Sequence, residues 1–126
     1  MRPYAPNART VLIVDDSWTD IALIAGPLYE QGFNIITAVD GDEAIEKALT
    51  MRPNCIVLDI VLPKQNGFQV CRRLKRMEES KEIPIILLSS KSTPQDRSWG
   101  MRQGADVYLT KPFKQEDLIA SVRSLI

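Results

Sequence analysis

Five residues in this chain could do chemistry together. Asp15 and Asp16 follow an aliphatic run at 11–14, Asp59 follows one at 55–58, Ser89 follows one at 85–88, and Lys111 comes just after one at 107–109. Carboxylates brought close together repel, and at least one takes up a proton unless a cation offsets the charge. The chain has no histidine and no cysteine pair at ligand spacing, so a zinc site and a histidine-based triad are excluded. Hard oxygen donors alone suit Mg²⁺, which keeps several waters and uses one or two carboxylates together with phosphate oxygens. Each residue also has a plainer explanation. An aspartate after a strand can be a helix N-cap or a solvated strand end, Ser89 a loop hydroxyl, Lys111 a surface charge, and Pro112 the punctuation before a helix. Their coincidence at equivalent points along the chain is what favours a site.

Such residues meet only if the preceding runs lie side by side and point the same way. The runs at 11–14, 35–38, 55–58, 85–88 and 107–109 lack the polar alternation of a sheet with one wet face, and read as strands buried on both sides. Between them, apolar residues recur at helical spacing: Ile21, Ile24, Ala25, Leu28; Ala44, Ile45, Ala48, Leu49; Val70, Cys71, Leu74, Met77; Leu118, Ile119, Val122, Leu125. Ser17 with Asp20, Asp40 with Glu43, and Thr93-Pro94 with Asp96 signal helix starts. Five βα units predict a doubly wound α/β fold, a parallel sheet between two helical layers. Ligands of such sheets bind beyond the carboxyl ends of the strands, where the five residues fall. The helix expected over 94–103 has only Trp99 and Met101 as large apolar residues, which marks it as a candidate moving part. Pro27 falls inside the first helix and removes the hydrogen bond to the Leu23 carbonyl.

The length of 126 residues suits one domain, and 44% hydrophobic with 25% charged residues is ordinary globular composition. Sixteen basic and sixteen acidic residues cancel, leaving no overall positive field for nucleic acid or an anionic membrane. No apolar run approaches the ~18 residues of a membrane span. Cys55 and Cys71 sit in apolar patterns and are expected to be reduced, buried thiols. The segment 1–9 carries two prolines and no signal-like apolar stretch, and reads as a flexible lead-in.

The segments VLIVDDS, DGDEAI, IVLDIVLPKQNGF, PIILLSS and GADVYLTKPF resemble the receiver domain of bacterial two-component response regulators, as does the spacing of thirty residues from Asp59 to Ser89 and fifty-two to Lys111. The resemblance covers 10–126 and implies a flavodoxin-like, five-stranded sheet of order 2-1-3-4-5 with five helices. It implies Asp59 as phosphoacceptor, with Asp16, Asp15 (directly or through water), Asp59 and the Val61 backbone carbonyl holding Mg²⁺. Ser89 is then the contact to a phosphoryl oxygen, and Lys111 the partner of the phosphate and of the resting Asp59 carboxylate. Lys111-Pro112 is implied as a cis peptide and Tyr108 as a switch aromatic. Phosphorylation is expected to draw Ser89 toward the phosphate and turn Tyr108 inward, repacking the face of the fourth helix, fifth strand and fifth helix. The implied partners are a sensor histidine kinase or phosphotransfer protein, and a downstream protein that reads that face through Trp99, Met101 and Tyr108. The chain is then a cytoplasmic signalling domain rather than an enzyme, without nucleic-acid or membrane contacts, and a monomer or phosphorylation-dependent dimer. Nothing in it reads as an output domain, so a single-domain regulator is expected. The stretch LSSKSTPQDRSWGMRQGADVYLTKPF is similar to stand-alone receivers of pilus-motility or chemosensory pathways.

Some positions depart from the family pattern. Leu62 stands where Met is frequent, Ser89 where Thr is, and Val61 puts an apolar side chain where polar groups are common. Trp18 lies close behind the acidic pair. Two other functions use similar parts. Aspartate-nucleophile phosphatases place a DxD after the first strand, whereas Ser17 follows an adjacent pair here. A phosphorylation-independent interaction module needs none of the acid, hydroxyl and lysine set.

Overall fold

Five βα units follow one another: β1 (Thr10–Val14), α1 (Trp18–Glu30), β2 (Asn34–Ala38), α2 (Gly41–Met51), β3 (Cys55–Asp59), α3 (Gly67–Arg76), β4 (Ile85–Ser89), α4 (Pro94–Arg102), β5 (Val107–Thr110) and α5 (Gln115–Leu125). The structure is a computed structural model and describes residues 4–126. The strands are all parallel, in the order β2-β1-β3-β4-β5. The expected doubly wound sandwich is therefore the fold observed.

Side chains alternate along each strand and feed two separate cores. Leu12 and Val14 of β1 join Ala44, Ala48, Val70 and Leu74 of α2 and α3. Val11 and Ile13 point the other way, into Ile21, Ile24 and Leu28 of α1 and Leu118 and Val122 of α5. Each fully buried Val, Leu or Ile among them contributes roughly 1.5–3 kcal/mol of transfer free energy. The three central strands are buried throughout, but β2 and β5 are only partly buried, because they form the lateral edges of the sheet. Burial on both faces thus holds for three of the five runs.

The helix starts follow from local chemistry. Ser17 Oγ accepts the Asp20 amide at 3.3 Å, and Asp40 accepts that of Glu43 at 2.9 Å. Thr93 and Asp96 cap α4 reciprocally. Asn66 and Gln69 form a fourth such device at α3, with both bonds 3.0 Å. Helix α1 runs on through the buried Pro27 to Glu30. Helix α4 buries only Gly100, in line with its thin apolar face. Cys55 and Cys71 are buried and free, and burial pushes both thiols up to about 12, which leaves them unreactive. Of the lead-in expected to be flexible over 1–9, residues 1–3 lie outside the described residues. Ala5 beyond them exchanges hydrogen bonds with the Asn34 side chain at 3.0 and 2.7 Å.

Gly67 opens α3 where a Cβ would stand 2.3 Å from the Asp59 carbonyl oxygen and 2.8 Å from Ile60 Cα. Both are backbone atoms that cannot swing aside. The close approach lets the Gly67 amide donate to the Ile60 carbonyl at 2.7 Å, which anchors the loop after β3. Alanine at an ordinary helical position stabilises by about 1 kcal/mol relative to glycine. Here Gly67→Ala is expected to cost on the order of 1–3 kcal/mol. The urea midpoint reads the sign directly: an unchanged or higher midpoint contradicts this tight contact.

Candidate functional site

Three backbone hydrogen bonds carry the sheet ladder past the strand ends. The Asp15 amide donates to the Ala38 carbonyl at 3.0 Å, Ile60 to Leu88 at 3.2 Å, and Lys111 to Ser89 at 2.8 Å. Parallel register sets Asp59 beside Leu88 and Ser89 beside Thr110. Asp59 and Ser89 are thus the last residues of their strands, held to the sheet, and the expected strand-end residues share one edge.

There the side chains converge. Carboxylate oxygens of Asp15, Asp16 and Asp59 all lie within 4.8 Å of one another. Lys111 Nζ stands 3.1 Å from Asp59 Oδ1, 3.4 Å from Asp15 Oδ2 and 3.4 Å from Asp20 Oδ2. Asp15 and Asp59 are buried while Asp16 is exposed, so the cluster opens to solvent on one side. Four carboxylates therefore face a single ammonium. The donors are all hard oxygens in a pocket of excess negative charge, and this set fits Mg²⁺.

The electrostatics follow from that imbalance. Burial raises the Asp59 pKa to about 6, and Lys111 opposes the shift without cancelling it, while Asp15 and Asp16 add to it. Asp15 is raised as well, again chiefly by burial, against a 3.0 Å hydrogen bond from the Ser17 amide. Burial alone would lower the Lys111 pKa, but Asp59, Asp15 and Asp20 together hold it above its ordinary value. Acid and base shift the same way because one ammonium collects three carboxylates, whereas each carboxylate has only a share of one ammonium.

Ser89 is buried beside this cluster, and its Oγ accepts the Lys91 amide at 2.9 Å. The Tyr108 hydroxyl donates to the carbonyl of the same Lys91 at 2.7 Å, so Ser89 and Tyr108 share that residue. Tyr108 is buried, packed where Gly100 leaves room: a Cβ on that glycine would stand 2.8 Å from the ring. The inward position expected of Tyr108 after phosphorylation is the one it holds here. Trp99 and Met101 are 47% and 48% exposed, so they and not Tyr108 offer apolar area on that face. The Lys111-Pro112 peptide is cis, and Val61 is exposed in the loop after β3.

Sequence reasoning placed Asp20 in a capping box and missed its side chain. Asp96 and Glu43 reach back to cap their helices, but Asp20 turns to Lys111, and the Ser17 amide is taken by Asp15 instead. Only its position one turn after the acidic pair hinted at this. Arg97 was also missed. Its guanidinium lies 5.5 Å from the Tyr108 ring centroid and donates to Thr110 Oγ1 at 2.9 Å, tying exposed α4 to β5.

Fold and site together define a doubly wound α/β protein that gathers oxygen donors and one ammonium beyond the carboxyl edge of its sheet. The chain belongs to the response regulator receiver domain family, whose model matches residues 11–123. Such domains are phosphoacceptor signalling modules of two-component systems, not classical enzymes. It is 36% identical to the protein PilH of Pseudomonas aeruginosa, over 92% of this chain and 96% of that one. Among solved structures it is similar to the chemotaxis response regulator CheY4 of Vibrio cholerae, with a TM-score of 0.88 and 30% identity, covering 95% of this chain and all of that one. The receiver domain of a Pseudomonas aeruginosa sensor histidine kinase, with a magnesium ion coordinated in its active-site cleft, matches with a TM-score of 0.86 and 27% identity, over 94% of this chain and 97% of that one. The chain spans about half the length of the transcriptional regulators it also matches.

An acid whose pKa rises on folding binds a proton more tightly in the native state, so stability falls as pH climbs through the interval between unfolded and folded values. For Asp59 that interval runs from about 4 to about 6. In the presence of a chelator, Asp59→Asn is expected to melt above the wild type near neutral pH. The gap should close as pH drops toward about 4. Thermal melts across that range check it, and a pH-independent gap contradicts the assigned cause.

Proposed function

We propose that Asp59 accepts a phosphoryl group from a phosphohistidine partner or a small phosphodonor, and that Asp15, Asp16, Asp59 and the Val61 carbonyl hold the required Mg²⁺. The observation that carries this reading is the Asp59 carboxylate, flanked by Lys111 at 3.1 Å and by two further acids within 4.8 Å. Bound Mg²⁺ supplies charge neutralisation of the phosphoryl oxygens and of the acids around them.

The protein residues do the rest by position. Lys111 engages Oδ1 of Asp59, and among the described residues no hydrogen bond or ion pair holds Oδ2. That oxygen is free to attack phosphorus as the bond to the donor's imidazole nitrogen breaks and the leaving imidazole takes up a proton from solvent. The Lys111 ammonium, already held at this edge by Asp15 and Asp20, offsets the charge that arrives, so little has to move at the moment of transfer. The autocatalytic part belongs to these groups alone, and the domain turns over no external substrate beyond its phosphodonor. Val61 offers no side-chain hydrogen bond to position a hydrolytic water.

Readout begins at Ser89. Drawing its hydroxyl to the phosphoryl group breaks its hydrogen bond from Lys91, the residue that also holds the Tyr108 hydroxyl, and so loosens the link from the site to α4. The target is a protein that reads α4, β5 and α5 through Trp99 and Met101. The upstream partner approaches the opposite shoulder, where Trp18, Leu23 and Val61 are 68%, 62% and 61% exposed around the acidic pocket. A cleft of about 460 Å³ there, lined by Asp20, Leu23, Ile24, Lys111, Pro112 and Phe113, gives a helix bearing the phosphohistidine an apolar seat beside the ammonium. We place the protein in the cytoplasm, where free buried thiols persist and histidine kinases present their phosphate.

Incubation with acetyl phosphate and Mg²⁺ is expected to add the mass of one phosphoryl group, lost with Asp59→Asn and with chelator. A mass gain that survives Asp59→Asn removes Asp59 from its role. Ser89→Ala is expected to remain phosphorylatable while the phosphorylation-dependent change in Trp99 emission, read in a Trp18→Phe background, falls severalfold. An undiminished response in that variant rules out Ser89 as the first link.

A further inference from the structure

We propose that the outer face of α3, with the loop before it, is a docking groove for an acidic segment of a partner protein. The inference stands independently of phosphorylation at Asp59. A groove of about 460 Å³ is lined by Lys64, Gln65, Gln69, Arg72, Arg73 and Arg76. Four cations and two amides share it without an acid among them. Among the described residues no ion pair reaches Lys64, Arg72 or Arg76.

Helix electrostatics do not account for this concentration. Cations in the last turn of α3 complement its dipole, which explains Arg73 and Arg76. Lys64 instead precedes the helix N-terminus, where positive charge is unfavourable. Helices α1, α2, α4 and α5 each carry acids in the first turn, and α3 carries none. The positive end of α3 is therefore left uncompensated beside an unpaired lysine.

The groove already shows which anion it takes. At its α2 edge the carboxylate of Asp42 receives Gln65 Nε2 at 3.3 Å and lies 3.7 Å from Arg73 Nη1. An amide and a guanidinium converge there on a carboxylate, and Arg72, Arg76 and Lys64 are positioned to repeat the pairing with carboxylates from outside. Arginine suits this because its planar fork matches a carboxylate with two parallel hydrogen bonds. A duplex nucleic acid fits less well. Binding to it draws on roughly 6–10 phosphate contacts, against four cations on a molecule of zero net charge. A short run of Asp or Glu in a partner chain matches both the number and the kind of groups.

Fluorescence anisotropy with a labelled deca-glutamate peptide at low salt tests this on the whole chain. Saturable binding that weakens as salt rises toward physiological strength is expected. Arg72→Glu with Arg76→Glu should weaken it at least tenfold, and Arg102→Glu on α4 should leave it unchanged. Arg72→Gln with Arg76→Gln, which avoids new repulsion along the helix, should weaken it severalfold at an unchanged melting temperature. Absence of binding at millimolar peptide, or equal loss with Arg102→Glu, overturns the groove. A single-stranded oligonucleotide of equal charge that binds more tightly, and is lost with the same substitutions, overturns the assignment to an acidic protein segment.

Discussion

One lysine ammonium among four carboxylates is the constraint on which the rest of this structure turns. Lys111 collects Asp59, Asp15 and Asp20, and Asp16 stands at the open side of the group. The arrangement is poor for stability, since burial raises Asp59 and Asp15 and a single cation cannot satisfy them. It is suited to a divalent cation, which brings the missing positive charge to the clustered acids.

The fold makes that arrangement tolerable. Two separate apolar layers hold the central strands, and ladder bonds beyond their ends fix the backbone of Asp15, Ile60 and Lys111. Gly67 and Gly100 show how closely the surrounding pieces pack: one lets the loop after β3 lie against the Asp59 carbonyl, the other lets Tyr108 lie under α4. The rigid centre and the loosely buried α4 divide the labour. The acids and the lysine sit on the deeply buried part, while α4 buries only Gly100.

Much of this was legible before any coordinates. Buried aliphatic runs alternating with helical periodicity dictate a parallel sheet, and a parallel sheet sends every strand-end residue to one edge. The caps of α1, α2 and α4 were visible because a side-chain oxygen three residues before an acid or amide is a local device. The Asn66–Gln69 box at α3 obeys the same rule. Less legible was burial at the edges, where β2 and β5 carry the same aliphatic composition as the centre but have a neighbour on one side only.

The chain's own order of residues determined the fold class, the strand-end positions of Asp15, Asp16, Asp59, Ser89 and Lys111, and the thin apolar face of α4, because all of these depend on periodicity and on neighbours in sequence. Only tertiary structure decided that Asp20 abandons its cap for Lys111, that Arg97 covers Tyr108, that Tyr108 lies inward, and that the cations of α3 and its loop share a groove with Asp42 at its edge. Those outcomes depend on which charged groups meet across long separations, and electrostatic energy is set by distance in space and by burial. Neither quantity is written in the local pattern of residues.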